Sequence, residues 1–529
     1  MSSKRHHGGI QPGISWGPFT LRVPFVHTRF SAADYLQGIA VAGATGLALV
    51  PIFTSLMGLS FEEAVTMAMF HSLFISMSWF VFGDPYAPGW LTPAVPFVIG
   101  FLTLPGFRLE GGGFDHTAQF QAMTAMSIDF ALILIVLGAT GLGAKLVKFV
   151  PDVFKGGIIL GAALAAFLRV TKEGDSSNVF EQAPIAGTLG VAVCMLLAFS
   201  KPIQERMGQH KWLATLVGLG LLPGFILAGS VGFFTGEFTY NIRWEFLNLA
   251  DSSVALWQKT SPFVIGWPSM DIFLSAFPLA LITYILFFGD LVTGDEMIEH
   301  TQLARPDEKL DLSSSRTHLS TGIRNVLMAV TAPFFSTQGV MWTGIQVILL
   351  KRWALGRDKV DSFFDSLSSF YAMFFLTPVL FIMLPAVTLL QPLLPLALAV
   401  TLILTGFACA TLALSLVKDA TERGTMVIFA MALSVFPEPW MGMLVGIISI
   451  IVLCGPKVFI PNHKIEEFGP IDKHEPSPGA SAEPAGAVSD ASSRGNTDPC
   501  DAAIADYRRR VALENQRRSR SRSTASEDV

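Results

Sequence analysis

Apolar runs of about twenty residues recur between residues 33 and 454, the length a helix needs to cross the hydrocarbon core of a bilayer. Lipid offers no hydrogen-bond partners, so a chain carrying such runs must satisfy its backbone internally, as helices. Charged residues make up 15% of the sequence, against about a quarter in an ordinary soluble domain. The expected fold class is therefore an all-α polytopic membrane protein, and the polar residues inside the runs become the informative ones.

The stretch Leu279–Leu350 breaks the uniformity twice. Asp290 stands late in an apolar run, within Phe287-Phe288-Gly289-Asp290. After a charged linker at 294–318, Pro333 and the run Ser336-Thr337-Gln338-Gly339 interrupt the next apolar stretch. An ionisable group or a broken helix at membrane depth is costly unless it faces protein or a water-filled cavity. A matching interruption comes earlier, where Pro85, Pro88, Pro93 and Pro96 exclude one regular helix. Residues 88–94 read as extended and 95–105 as a half-helix. The second break reads the same way, with 333–337 extended and 339–351 a half-helix.

The count of segments is about fourteen, and the charges check it. With the N-terminus inside, inner loops carry Lys145, Lys148 and Lys155; Lys201, Arg206 and Lys211; Arg305, Lys309 and Arg316; Lys351, Arg352, Arg357 and Lys359; and Lys418 with Arg423. Outer loops carry Arg108, Arg169, Lys172, Arg243 and Lys259 over longer stretches. One miscounted span would invert every later loop. Both termini are expected in the cytoplasm and the chain in the plasma membrane. Residues 1–30 read as a cytoplasmic N-terminal segment without the apolar core of a signal peptide. Residues 31–456 read as the transmembrane domain, and the Ser-, Pro- and Arg-rich 457–529 as a disordered cytoplasmic tail. Arg324 and Asn325 open a span at the inner interface and are expected to snorkel. Glu62, Glu63, Asp295, Glu296 and Glu299 are expected on solvated faces.

The interrupted segments are the third and the tenth, hence the third of each half. Seven is odd, so the halves run through the membrane in opposite directions. This predicts a 7+7 inverted repeat, about 31–236 and 269–456, joined by an external loop at 237–268. Half-helices at the breaks would aim their amino ends at a shared point, each end worth about +0.5 elementary charge. Such a point favours an anion or the electronegative edge of a polar ligand.

Two phrases carry a family resemblance. Val150-Pro-Asp-Val-Phe-Lys-Gly-Gly-Ile-Ile-Leu-Gly161 resembles the start of the fifth helix in nucleobase transporters and sulfate permeases. Ala280-Leu-Ile-Thr-Tyr-Ile-Leu-Phe-Phe-Gly289-Asp290 resembles the eighth helix of nucleobase permeases, with Leu286 where a substrate-binding Glu is expected. The chain thus resembles a divergent member of the superfamily of nucleobase–ascorbate transporters, sulfate permeases and anion exchangers. The resemblance implies a core domain (segments 1–4 and 8–11) and a gate domain (5–7 and 12–14), with a homodimer formed through the gate.

The expected function is secondary active transport of a small anion or polar organic solute by elevator-type alternating access, coupled to H+ or Na+ and needing no other cofactor. A nucleobase permease is the alternative within the class, weakened by Leu286; an anion channel is the alternative outside it. Expected substrate contacts are Thr92, Ala94 and Val95 at the first break and Ser336, Thr337, Gln338 and Gly339 at the second. Asp290 and Asp129 are the expected ion-coupling carboxylates, with His71 a candidate partner for Asp129 or for backbone. An enzyme is not expected: the sequence has no H-E-x-x-H, and Gly13-Ile14-Ser15-Trp16-Gly17 matches G-x-S-x-G without the strand–turn–helix that motif requires. Cys194, Cys409, Cys454 and Cys500 have no metal or disulfide spacing, so no metal is expected. The expected partners are the solute, the bilayer and a second copy, not nucleic acid; the mixed charges of the tail fit a solvated segment.

Overall fold

A computed structural model describes residues 5–143, 151–175, 178–207, 210–218, 221–372, 379–436 and 439–459. It divides into two compact units, Met1–Gly455 and Pro456–Val529. The second is described only over the short 3-10 turn Pro456–Phe459. Lys145, Lys148, Val150, Pro437, Glu438 and the tail from 460 onward lie outside the described residues.

The first unit is helical, as expected. Its principal helices are α1 (Ala32–Gly46), α2 (Phe61–Phe80), α3 (Val95–Leu102), α4 (His116–Thr140), α5 (Asp152–Thr171), α6 (Pro184–Phe199), α7 (Leu222–Thr235) and α8 (Leu249–Thr260). They continue with α9 (Met270–Gln302), α10 (Ser314–Thr331), α11 (Thr343–Ala354), α12 (Phe363–Phe370), α13 (Leu394–Leu416), α14 (Ala420–Val435) and α15 (Pro439–Leu453). Among the described residues, His116–Thr140, Asp152–Thr171, Met270–Gln302 and Leu384–Leu416 are long and apolar enough to cross a membrane. Local chemistry sets the ends. Ser60 and Glu63 form a reciprocal capping box at the start of α2, and Asp115 accepts from Ala118 N at 3.0 Å to start α4. Gly141, at φ +66°, closes α4 in the left-handed conformation that only glycine adopts freely.

Two packing groups emerge. Helices α2, α4, α9 and α10 lie together, with α10 seated along α4. Helices α5, α13, α14 and α15 form the other group, with α6 against α7. Close approach in the second group rests on Gly156, Gly157 and Gly161, where an added Cβ would come within 2.5 Å of Met426 Sδ, 2.3 Å of the Phe429 ring and 3.1 Å of Leu433. The glycines of the phrase that carried the family resemblance thus let α14 lie against α5.

Three expectations are corrected. Residues 294–302 are not a linker: α9 continues through Asp295 to Gln302. Residues 1–30 include a hairpin, β1 (Ile14–Trp16) antiparallel to β2 (Phe19–Leu21), which contains the G-x-S-x-G match and leaves Ser15 exposed. Thr20 N and Arg22 N extend its bonding onto the carbonyls of Phe82 and Phe80 at the end of α2. Arg22 also lies 3.9 Å from the centre of the Phe364 ring, and Arg5 pairs with Glu308 at 3.1 Å, so this segment straps the ends of several helices together. Within the same cluster, the guanidinium of Arg305 holds the Asp307 carboxyl below its ordinary range. Glu63, finally, is not on a solvated face; it is 6% exposed, occupied by the capping box and by Lys259 Nζ at 2.8 Å.

The two interrupted segments meet. Gly339 N donates to Gly89 O at 2.9 Å, Leu91 N to Ser336 O at 2.8 Å and Trp342 N to Ala87 O at 2.7 Å, an antiparallel pairing of 87–91 with 336–342. A Cβ on Gly339 would fall 2.8 Å from Gly89 O and 2.9 Å from Leu91 N, both backbone atoms that cannot step aside. We therefore expect Gly339→Ala to lower stability by about 1–3 kcal/mol, the usual cost of overpacking. Gly100→Ala, where a Cβ meets nothing within 4 Å, is expected to leave it unchanged or slightly raised. Thermal unfolding of the purified protein in detergent checks the pair; equal behaviour would remove the close approach from the account.

Candidate functional site

From the paired stretch the chain leaves in two directions. Leu91 leads through the 3-10 turn Thr92–Ala94 into α3, and Trp342 leads into α11. Because the strands are antiparallel, the amino ends of the two half-helices approach the pairing from its opposite ends. The first half-helix starts where expected; the second starts at Thr343, four residues later than 339. The delay is physical: Gly339 N and Trp342 N are spent on carbonyls of 87–91, so the chain cannot turn into helix until those bonds end. The piece expected to be extended, 333–337, is instead a turn at 335–336 with Ser336 at φ +75°.

Around the second break the polar groups form a network, in which Arg324 Nε, Asn325 Oδ1 and Gln346 Nε2 are buried without a hydrogen-bond partner among the described residues. Arg324 of α10 is fully buried; it donates to Gly339 O at 3.0 Å, to Thr321 Oγ1 at 3.0 Å and to Gln338 Oε1 at 3.3 Å. Asn325 Nδ2 donates to Gln338 O at 3.2 Å, and Gln338 Nε2 donates to His71 O at 3.2 Å. The His71 ring donates from Nε2 to Ala332 O at 2.8 Å, taking up a carbonyl at the end of α10. Gln346 Oε1 accepts from Ala87 N at 2.6 Å, and Tyr371 Oη donates to Pro88 O at 2.5 Å. Each satisfies a backbone group freed where helix gives way to extended chain, as a segment at membrane depth requires.

Arg324 and Asn325 therefore do not snorkel. Both are 0% exposed, turned inward against the broken segment. Among the described residues no carboxylate comes within 4.0 Å of Arg324. The buried Asp84 is paired to Arg316 at 3.3 Å and accepts from Thr317 Oγ1 at 3.0 Å.

The expected contact residues separate into two sets. Ser336, Thr337, Gln338 and Gly339 are packed inside; Thr337 Oγ1 donates to Phe334 O at 3.1 Å, and both ends of the Gln338 amide are taken. Ser336 holds φ +75°, in the left-handed region a serine rarely enters, and its buried Oγ has no hydrogen-bond partner among the described residues. At the first break, Ala94 and Val95 are buried, whereas Thr92 is half-buried. The turn Thr92–Ala94 abuts α5 and α13 of the other packing group.

The carboxylates differ in the same way. Asp290 is half-buried on α9 and has no hydrogen bond or ion pair among the described residues. Its neighbour Gly289 faces Ile159 of α5, and its charge is within reach of the Cys409 thiol on α13. Asp290 and Thr92 thus both border α5 and α13. Asp129, on α4, is half-buried with Oδ2 unpartnered, and it does not pair with His71, whose ring is committed to Ala332. The structure brings the two breaks together and sets Asp290 on the boundary between the packing groups; it leaves Asp129 apart.

No protein-family model matches this chain, and no curated protein does. Among solved structures it is similar to that of the murine Solute Carrier 26 family member A9 (Slc26a9) anion transporter in the inward-facing state, at 14% identity and a TM-score of 0.46, covering 80% of this chain and 68% of that one. It is also similar to the transmembrane domain of a cyanobacterium bicarbonate transporter, BicA, at 12% identity and a TM-score of 0.43, covering 79% and 97%.

The network separates positioning from contact. Gln338→Ala strands a buried guanidinium N–H of Arg324, so it is expected to cost about 1–3 kcal/mol. Thr92→Ala should cost less than about 0.5 kcal/mol, as for a side chain away from such features. Denaturation midpoints of the two variants check this; a stable Gln338→Ala would release that amide for contact with a solute.

Proposed function

We propose that the chain is a secondary transporter of a small anion or polar organic solute, whose site lies where the two interrupted segments cross. The observation that carries the reading is that crossing itself: two Pro- and Gly-interrupted segments paired by three backbone hydrogen bonds, each running into a half-helix, with a buried guanidinium at the join. Breaking two membrane segments and burying a cation beside them has a cost that a purely structural bundle avoids. An anion offsets that cost. The half-helix amino ends contribute positive potential, and Arg324 adds a full charge that no acid within 4.0 Å neutralises among the described residues.

Thr92 at the boundary with α5 and α13 is the side chain in this reading that meets the solute, with the amides at the start of the turn Thr92–Ala94 and at Thr343. The network of Arg324, Asn325, Gln338 and His71 holds the second break in shape and sets its charge. Asp290, without a hydrogen bond or ion pair among the described residues, is the coupling group for H+ or Na+. The boundary between the packing groups supports alternating access of the elevator type, in which one group slides past the other as a near-rigid body. The chain in this reading is a plasma-membrane 7+7 inverted repeat with both termini cytoplasmic, assembled as a homodimer through the group containing α5, α13 and α14. A nucleobase is the weaker solute, because Leu286, 3% exposed, offers no carboxylate to ring N–H groups.

A thermal-shift series on purified protein tests the reading, with chloride, sulfate, bicarbonate, small carboxylates, nucleobases and ascorbate as solutes. A ligand at a hundred times its Kd stabilises the native state by about 2.7 kcal/mol. We expect an anion to raise Tm, Thr92→Ala and Arg324→Gln to remove the shift, and Asp290→Asn to keep binding while abolishing proton- or sodium-driven uptake in proteoliposomes. Stabilisation by a nucleobase with none by anions would overturn the solute class. Conducting single channels without saturable uptake would replace the transporter with a channel.

A further inference from the structure

The loop 237–268 is divided in its attachments. Its first part belongs to the packing group of α6 and α7. The Glu237 carboxylate accepts from Ile185 N at 2.9 Å and Ala186 N at 2.7 Å, and Tyr240 Oη donates to Gly229 O at 3.1 Å. Arg243 N donates to Thr388 Oγ1 at 3.2 Å, in the stretch Leu384–Leu416 that runs into α13. Leu247 N donates to Ile382 O at 2.8 Å, in the helical turn Val379–Ile382, which also touches α2. Its second part belongs to the group of α2, α4 and α10. Lys259 pairs with Glu63 of α2, Ser261 Oγ donates to Val330 O at 2.9 Å, and Gln121 Nε2 of α4 donates to Gly266 O at 3.2 Å.

One ion pair runs against this division. Arg243 has its backbone fixed to Thr388, yet its guanidinium reaches across to the Glu62 carboxylate at the first turn of α2. Among the described residues it is the sole ion pair from 237–248 to α2. Beside it lies a cavity of about 510 Å³ whose wall changes sides: Phe61 comes from α2, while Gln182, Ala183, Asn241 and Gln391 come from the other group. The wall is mixed: Gln182, Glu237, Asn241 and Arg243 stand beside Phe61 and Phe238. Ala183, on that wall, is 1% exposed.

We propose that this cavity is the access vestibule on the face carrying the loop, and that Arg243–Glu62 is the latch that holds it shut. The proposal rests on the transporter reading, since a latch between packing groups matters only if the groups move apart. Relative motion of the groups must break the pair, because its two ends are rooted on opposite sides. The pair is partly exposed, so its contribution is modest, which is what a contact made and broken in every cycle requires.

The test needs no solute. Ala183→Cys is introduced and its modification by a hydrophilic maleimide is timed on purified protein in detergent, with the chain lacking that substitution as the background for the native cysteines. Arg243→Ala and Glu62→Gln are each expected to speed labelling by about 1.5-fold to fivefold, the range an exposed ion pair commands. The exchange Arg243→Glu with Glu62→Arg is expected to return it to the slow rate. Unchanged labelling in both single variants overturns the latch. Fast labelling that persists in the charge exchange also overturns it, because lost packing and not the ion pair would then control access. Labelling is read without solute, so failure here leaves the thermal-shift result standing, and a chain that responds to no solute can still show the latch.

Discussion

Three backbone hydrogen bonds between residues 87–91 and 336–342 are the constraint on which the centre of this molecule depends. A helix satisfies its own amides and carbonyls; an extended segment at membrane depth cannot, and lipid supplies nothing in exchange. Each interrupted segment therefore completes the other. The pairing requires Gly89 and Gly339 to be bare, since a Cβ on Gly89 would sit 2.7 Å from Trp342 Cβ. Neither break is explicable alone, so the halves of the chain cannot fold their central segments independently.

What the pairing leaves over is handled by side chains of α2, α10 and α11 and by Tyr371 at the end of α12. His71, Tyr371, Asn325, Gln346 and Arg324 each take up a backbone group at the breaks or bond a residue that does. Four of the five are neutral. A neutral donor could have served Gly339 O as well, with no charge to desolvate, so a guanidinium at that position needs another reason. The proposed anion supplies it: the same group that closes the network sets the sign of the potential where the half-helices converge.

Much of this was legible in the sequence because the physics of lipid is unforgiving. The proline spacing at Pro85, Pro88, Pro93 and Pro96 located the first break to within a few residues, and Ser336-Thr337-Gln338-Gly339 located the second. Illegible was which of those polar residues turn inward. Gln338 and Thr337 read as free hydroxyl and amide groups, yet each is spent on the chain's own backbone or network. Arg324 read as interfacial because an Arg near a span's end usually reaches water. Its helix starts at Ser314, which places Arg324 ten positions inside instead of five. A boundary misjudged by one turn was enough to invert the role of the residue.

The loop 237–268 shows the converse. Its sequence, rich in Trp and Phe, reads as one external segment, and only its contacts reveal that it serves two helical groups. A connection between bodies that move must be tethered to each, and the transition between tethers then falls at a definable residue. Here it falls between Leu247, bonded to Ile382, and Lys259, paired with Glu63. Helix α8 spans that interval, so the slack for any sliding motion must come from its ends. Arg243 lies on the near side of that slack and Glu62 beyond it, which is why their pairing, and not the loop's covalent continuity, is placed to act as the proposed latch.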